Sequence, residues 1–106
     1  MVKRQARLCM VALLATAVAA PVLAQSGEST FKAKCAMCHG ADGLASGGMG
    51  KMMNIPSVKS PDFKKLSESE MIADTTNGKA KMPSYKGKLT DAQIKEVVAY
   101  MRSLEK

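Results

Sequence analysis

The last segment of the chain carries apolar residues at intervals of three and four positions. These residues are Ile94, Val97, Val98, Met101 and Leu104. Such spacing places them on one face of an amphipathic helix, and it predicts a helix from about Asp91 to Leu104. Thr90 and Gln93 have the spacing of a capping box, which marks the point where this helix begins.

Upstream patterns predict two further helices and a single helical turn. Ser67 and Glu70 form a second capping box, and the helix they open should end at Asn77-Gly78. A first helix is predicted from Ser26 to about Cys35, and a turn is predicted at Ser60-Pro61. The chain has no strand of consequence, so these patterns favour an all-α fold of three to four helices.

The N-terminal segment has the layout of an export signal. Three positive charges come first, on Lys3, Arg4 and Arg7. An uncharged apolar stretch, Leu8 to Ala24, follows and ends in small residues that suit a cleavage site. The pattern predicts a signal peptide over 1–24, a single domain over 25–106 and a periplasmic location. The alternative is an uncleaved membrane anchor, since the stretch is near the lower length limit for spanning.

The domain that remains after cleavage is small and contains few aromatic residues. The chain has two Phe and two Tyr and no Trp, so its own side chains supply only a modest core. The formal net charge of the whole chain is +7, and the lysines are scattered along it. Dispersed charge favours a solvated surface that could steer the protein toward an acidic redox partner. Without a basic block or stacking aromatics, a nucleic-acid partner is not expected.

Residues 35–39 read Cys-Ala-Met-Cys-His, the C-x-x-C-H signature of covalent haem attachment. Cys35 and Cys38 can each bond to a haem vinyl group, and His39 then lies against the iron. A dithiol redox motif and a zinc site are the alternatives. No β-α-β context is evident for the first, and the domain supplies too few of the usual ligands for the second. In an exported chain the two thiols would form a disulfide unless haem captured them.

The second axial ligand is expected to be Met82. His39 is the only histidine, so two histidines of one chain cannot ligate the iron. Met82 lies in a predicted loop between two capped helices, and Pro83 stiffens the backbone behind it. Met71 and Met101 lie on helix faces and are expected to pack in the core.

Two other functions are weighed beside this one. An open coordination site in place of Met82 would indicate a haem sensor or enzyme. Met49, Met52 and Met53 form a thioether cluster that suits Cu(I), although apolar packing near the haem is the simpler interpretation.

The chain resembles the class I monohaem cytochromes c, in particular the small exported bacterial ones. The resemblance spans the domain and rests on Gly27…Phe31, the C-x-x-C-H motif, the Met82-Pro83-Ser-Tyr85 loop and Val97–Tyr100. It implies three to four helices around one covalently attached haem c, ligated by His39 and Met82. It further implies a soluble, monomeric, periplasmic electron carrier that is not an enzyme and that meets protein redox partners.

Two contacts are also implied by the resemblance. Gly27 should let the first helix cross the last one near Tyr100. The ring N–H of His39 should donate to a backbone carbonyl, with the region of Pro56 as the candidate.

Overall fold

The computed structural model describes residues 22–106, with side chains from Gly27 onward. The helices are α1 (Val22–Lys34), α2 (Ala36–His39), α3 (Gly48–Met52), α4 (Pro61–Lys64), α5 (Glu68–Asn77) and α6 (Asp91–Ser103). Only isolated bridges, with no strand, occur within this part of the chain. The all-α expectation is therefore confirmed, with three helices of ten or more residues and three of about one turn.

Both predicted capping boxes are formed. The Ser67 hydroxyl accepts from the Glu70 amide at 3.1 Å, and the Glu70 carboxylate accepts from the Ser67 amide at 2.8 Å. The Thr90 and Gln93 side chains make the same reciprocal pair at 3.1 and 2.9 Å. Each box satisfies two amides that have no partner inside the helix, so the sequence positions of these pairs fix the starts of α5 and α6.

The glycine-rich segment around residue 48 forms a further short helix, α3. It does so because Gly50 packs directly on the Ala45 backbone, where a Cβ would collide. The first helix begins at Val22 and not at Ser26, since no helix breaker separates these positions. The predicted cleavage point after Ala24 therefore falls within α1, while residues 1–21 of the predicted signal lie outside the described residues.

The core forms where α1 crosses α6. Phe31 is fully buried, and its ring centroid lies 5.3 Å from that of Tyr100. A Cβ at Gly27 would lie 2.5 Å from the Glu96 carbonyl oxygen and 3.3 Å from the Tyr100 Cβ. The predicted close approach at Gly27 is thus confirmed, because only a residue without a side chain fits there.

The remaining core residues extend the α1–α6 contact toward α4 and α5. The buried apolar set comprises Val58, Phe63, Met71, Ile94, Val97 and Val98. Met101 packs against this set from α6 and is only half-buried. Phe63, Met71 and Met101 also line a cavity, so the core is open on that side.

Replacing Gly27 by Ala should destabilise the protein although alanine favours helices. The new methyl group meets backbone that cannot move freely, and overpacking of this kind costs about 1–3 kcal/mol. In a domain of this size the thermal midpoint should fall by about 4–8 °C for each kcal/mol. Gly48→Ala is the matched control, because nothing lies within 4 Å of its added Cβ. Equal midpoints for the two variants would contradict a tight crossing.

Candidate haem site

All four predicted site residues line one cavity of about 490 Å³. Cys35, Cys38 and His39 come from the α1–α2 junction, and Met82 comes from the segment after α5. Most of the other lining side chains are apolar, among them Ile55, Pro56, Phe63, Leu66, Met71 and Met101. The volume lies within the roughly 300–1,000 Å³ range of ligand pockets in proteins.

The C-x-x-C-H residues are brought together by a break between α1 and α2. The amides of Cys38 and His39 both donate to the Cys35 carbonyl, at 3.2 and 3.0 Å. This tight turn holds all three side chains at one wall of the cavity. Cys35 and Cys38 are half-buried free thiols. Both sulfurs are therefore available for bonding to a ligand in the cavity.

Burial sets the charge states at this wall. It raises the pKa of the Cys35 thiol to about 11, with the neighbouring charge of Cys38 as the second cause. It also lowers the pKa of His39, so the imidazole is neutral at pH 7 and keeps a lone pair for a metal. His39 Nδ1 is buried and has no hydrogen-bond partner among the described residues. An orphaned buried nitrogen costs about 1–3 kcal/mol, so this ring fits a site completed by another group.

Met82 ends a tight turn that begins at Lys79. The Lys79 amide donates to the Met82 carbonyl at 3.1 Å, and the Met82 amide donates to the Lys79 carbonyl at 2.9 Å. Ala80 sits inside the turn with a φ of 52°. Gly78 precedes the turn with a φ of 80°, and a Cβ there would lie 2.9 Å from the Met82 carbonyl oxygen. Glycine at position 78 is therefore required for the chain to place Met82 in the cavity wall.

The chain is similar to a known family and to several known proteins. Residues 22–101 match the family model described as cytochrome c oxidase, cbb3-type, subunit III. The chain is 36% identical over 97 residues to cytochrome c6 of Nostoc sp. (strain PCC 7120 / SAG 25.82 / UTEX 2576), covering 86% of this chain and 82% of the relative. It is 35% identical over 108 residues to cytochrome c6 of Thermostichus vulcanus, covering 95% and 91%. It is 37% identical over 81 residues to cytochrome c6 of Leptolyngbya boryana, covering 74% and 88%.

The chain belongs to the class I monohaem cytochrome c family. Its cofactor is accordingly one covalently bound haem c with its iron. The chain is an electron carrier and not an enzyme, as the sequence predicted. The cavity fits this group because it offers two free thiols, a neutral buried imidazole and a thioether within an apolar wall.

The other methionines of this cytochrome occupy different environments. Met37 is 81% exposed. Met71 and Met101 touch both the cavity and the core, as expected for packing residues. Met53 lines the cavity, whereas Met52 is 68% exposed. The Cu(I) site at Met49, Met52 and Met53 stays a prediction. The thioethers of Met52 and Met53 do not share one buried environment.

The cavity lining differs from the expectation at Pro56. Pro56 lines the cavity, yet the His39 Nδ1 does not donate to a carbonyl there. On the other side of the motif, the Tyr85 hydroxyl donates to the Lys34 carbonyl at 3.0 Å. Burial raises the pKa of Tyr85, with the charges of Cys35 and Cys38 as further causes. No sequence signal links Tyr85 to a residue 51 positions away.

The exposed charged residues of the cavity lining are mostly basic. Lys34, Lys79 and Lys81 line the cavity and are exposed, and Asp74 is the one acidic residue beside them. Asp74 lies 3.6 Å from the Lys79 amine, an exposed ion pair that contributes little to stability. The remaining charge on this side of the cavity is positive.

Replacing Gly78 by Ala should weaken the fold more than replacing Gly87 by Ala. Both glycines have a φ near 80°, so both variants carry backbone strain of about 1–2 kcal/mol. Only position 78 adds a collision with the turn that holds Met82, since nothing lies within 4 Å of a Cβ at Gly87. We expect a further loss of about 1–3 kcal/mol in the free energy of unfolding, measured with denaturant. Equal losses of stability in Gly78→Ala and Gly87→Ala would contradict a tight contact between position 78 and the Met82 turn.

Proposed function

We propose that this cytochrome is a soluble periplasmic one-electron carrier whose haem is attached at Cys35 and Cys38 and ligated by His39 and Met82. The observation that supports the proposal is that these four side chains line one cavity. The cytochrome c6 relatives cover most of the chain, which supports the same class of function. When bound, the haem supplies an iron that takes up and releases one electron.

The chain's own residues set the conditions for that exchange. His39 and Met82 are both uncharged ligands, and the apolar wall solvates added positive charge poorly. These features favour the ferrous state and therefore a raised reduction potential. His39 is held through the Cys35 carbonyl and Met82 through the turn at Lys79, so both ligands keep their positions in either oxidation state.

The location and the partner follow from charge and from the N-terminal pattern. The leader over 1–24 supports export, and none of the helices within 22–106 is long and apolar enough to cross a bilayer. Lys34, Lys79 and Lys81 support a docking partner with an acidic patch. Such a meeting is brief and involves a small interface, and the carrier acts as a monomer.

Replacing Met82 by Ala should lower the reduction potential. The iron would lose its thioether ligand. Axial ligands tune haem potentials over about 0.8 V, so we expect the reduction potential of this variant to be lower by roughly 0.1 V. Met53→Ala is the matched control, because Met53 lines the same cavity from α3's end. Redox titration of both variants measures the effect. An unchanged potential in Met82→Ala, or an equal fall in Met53→Ala, would contradict ligation by Met82.

Loss of both cavity cysteines should abolish covalent attachment. Mass spectrometry of the exported, denatured wild type should show a polypeptide starting at Gln25 plus one haem. Cys35→Ser with Cys38→Ser should yield the polypeptide mass alone, because no thioether bond can form. Cys9→Ser, in the leader, is the control and should retain the haem. A haem that survives denaturation in the double variant would refute attachment at these residues.

A further inference from the structure

The break between α1 and α2 frees the Lys34 carbonyl to accept a hydrogen bond from the Tyr85 hydroxyl. Lys34 is the last residue of α1, and in a continued helix its carbonyl would accept from the Cys38 amide. The Cys38 amide donates to the Cys35 carbonyl instead. The Lys34 carbonyl accepts from the Tyr85 hydroxyl at 3.0 Å. The bond thus joins the residue before Cys35 to the segment that carries Met82.

Tyr85 is fixed at its backbone as well. Its amide donates to the Thr75 carbonyl near the end of α5, at 3.1 Å. Its own carbonyl accepts from the amides of Lys88 and Leu89, at 2.9 and 3.0 Å. Its ring lines the cavity, and the Lys88 amine lies 5.9 Å from the ring centroid. Because its backbone is bonded to α5 and its hydroxyl to the Lys34 carbonyl, Tyr85 links α5 to the end of α1.

Tyr85 and Met82 are joined by a short and restrained stretch of backbone. Only Pro83 and Ser84 lie between them, and proline fixes its own φ. The Ser84 hydroxyl donates to the Thr76 carbonyl at 2.6 Å. A displacement of Tyr85 away from α1 would therefore move Met82 with it.

We infer that Tyr85 is a positioning residue whose hydroxyl fastens the Met82 segment to the end of α1 and so keeps the thioether against the iron. This inference rests on the proposed ligation by Met82. It assigns to the hydroxyl a role distinct from that of the ring, which packs in the cavity wall. The two ligand segments, one carrying His39 and one carrying Met82, are held at a fixed separation through this bond.

Tyr85→Phe isolates the hydroxyl, because phenylalanine keeps the ring. Carbon monoxide reports on the iron, since it binds the reduced haem only while Met82 is detached. Its apparent affinity is proportional to the detached fraction. A typical net hydrogen bond corresponds to about a two- to tenfold change in such an equilibrium, so Tyr85→Phe should raise the apparent affinity by that factor.

Three further variants complete the test. Tyr100→Phe is the matched control, since that ring packs on Phe31 in the α1–α6 contact and should leave the affinity within twofold of wild type. Met82→Ala should raise the affinity further than Tyr85→Phe. Adding Tyr85→Phe to Met82→Ala should change nothing more, because the hydroxyl acts through Met82. An effect of equal size in both backgrounds would overturn the inference.

Hydrogen exchange supplies a second readout that does not involve the iron. In Tyr85→Phe the amides of Met82, Tyr85 and Lys86 should exchange about two- to tenfold faster. In Tyr85→Phe the Ile94 amide, which donates to the Thr90 carbonyl at the start of α6, should exchange at the same rate as it does in Tyr100→Phe. Equal acceleration at Ile94 would show a general loss of stability and overturn the positioning role.

The two proposals fail in different ways. Wild-type affinity for carbon monoxide in Met82→Ala would refute ligation by Met82. A raised affinity in Met82→Ala together with wild-type affinity and exchange in Tyr85→Phe would refute the role of Tyr85 alone.

Discussion

The structure depends on a cavity that its own side chains do not fill. The chain supplies four aromatic residues to a small domain, and its core is open on the side where Phe63, Met71 and Met101 lie. A small domain buries a modest share of its surface, so an apolar group held in this space adds a large part of the missing contact. In a c-type cytochrome the haem is therefore as much a core element as a redox centre.

Backbone groups, more than side chains, place the residues that face this cavity. The Cys35 carbonyl accepts hydrogen bonds from the amides of Cys38 and His39. The paired bonds between Lys79 and Met82 close the turn on the other segment. Such bonds are short and directional, so they fix the backbone of His39 and of Met82 beside the cavity. A rigid backbone on both segments suits an electron carrier, because little structural rearrangement then accompanies the change of charge.

Local signals predicted a large part of this architecture. Reciprocal caps at Ser67 and Thr90 determine where α5 and α6 begin, and they act within four residues. The C-x-x-C-H motif predicts a role for Cys35, Cys38 and His39, the Met-Pro pair predicts one for Met82, and all four residues line the cavity. These features are readable because each depends on neighbours in the sequence.

What the sequence did not reveal depends on packing that no local motif marks. The helix α3 forms where Gly50 packs on the Ala45 backbone, and glycine content alone does not indicate such a contact. The bond from Tyr85 to Lys34 exists because α1 ends one residue before the motif. The unpartnered His39 nitrogen likewise reflects the surrounding wall and not the motif.

Iron-edge X-ray absorption on the reduced wild-type protein tests the proposed ligation by His39 and Met82 most directly. We expect a six-coordinate iron with five nitrogen neighbours, four from the porphyrin and one from His39, and a single sulfur from Met82. An iron without a sulfur neighbour, or one that is five-coordinate, would contradict this ligation.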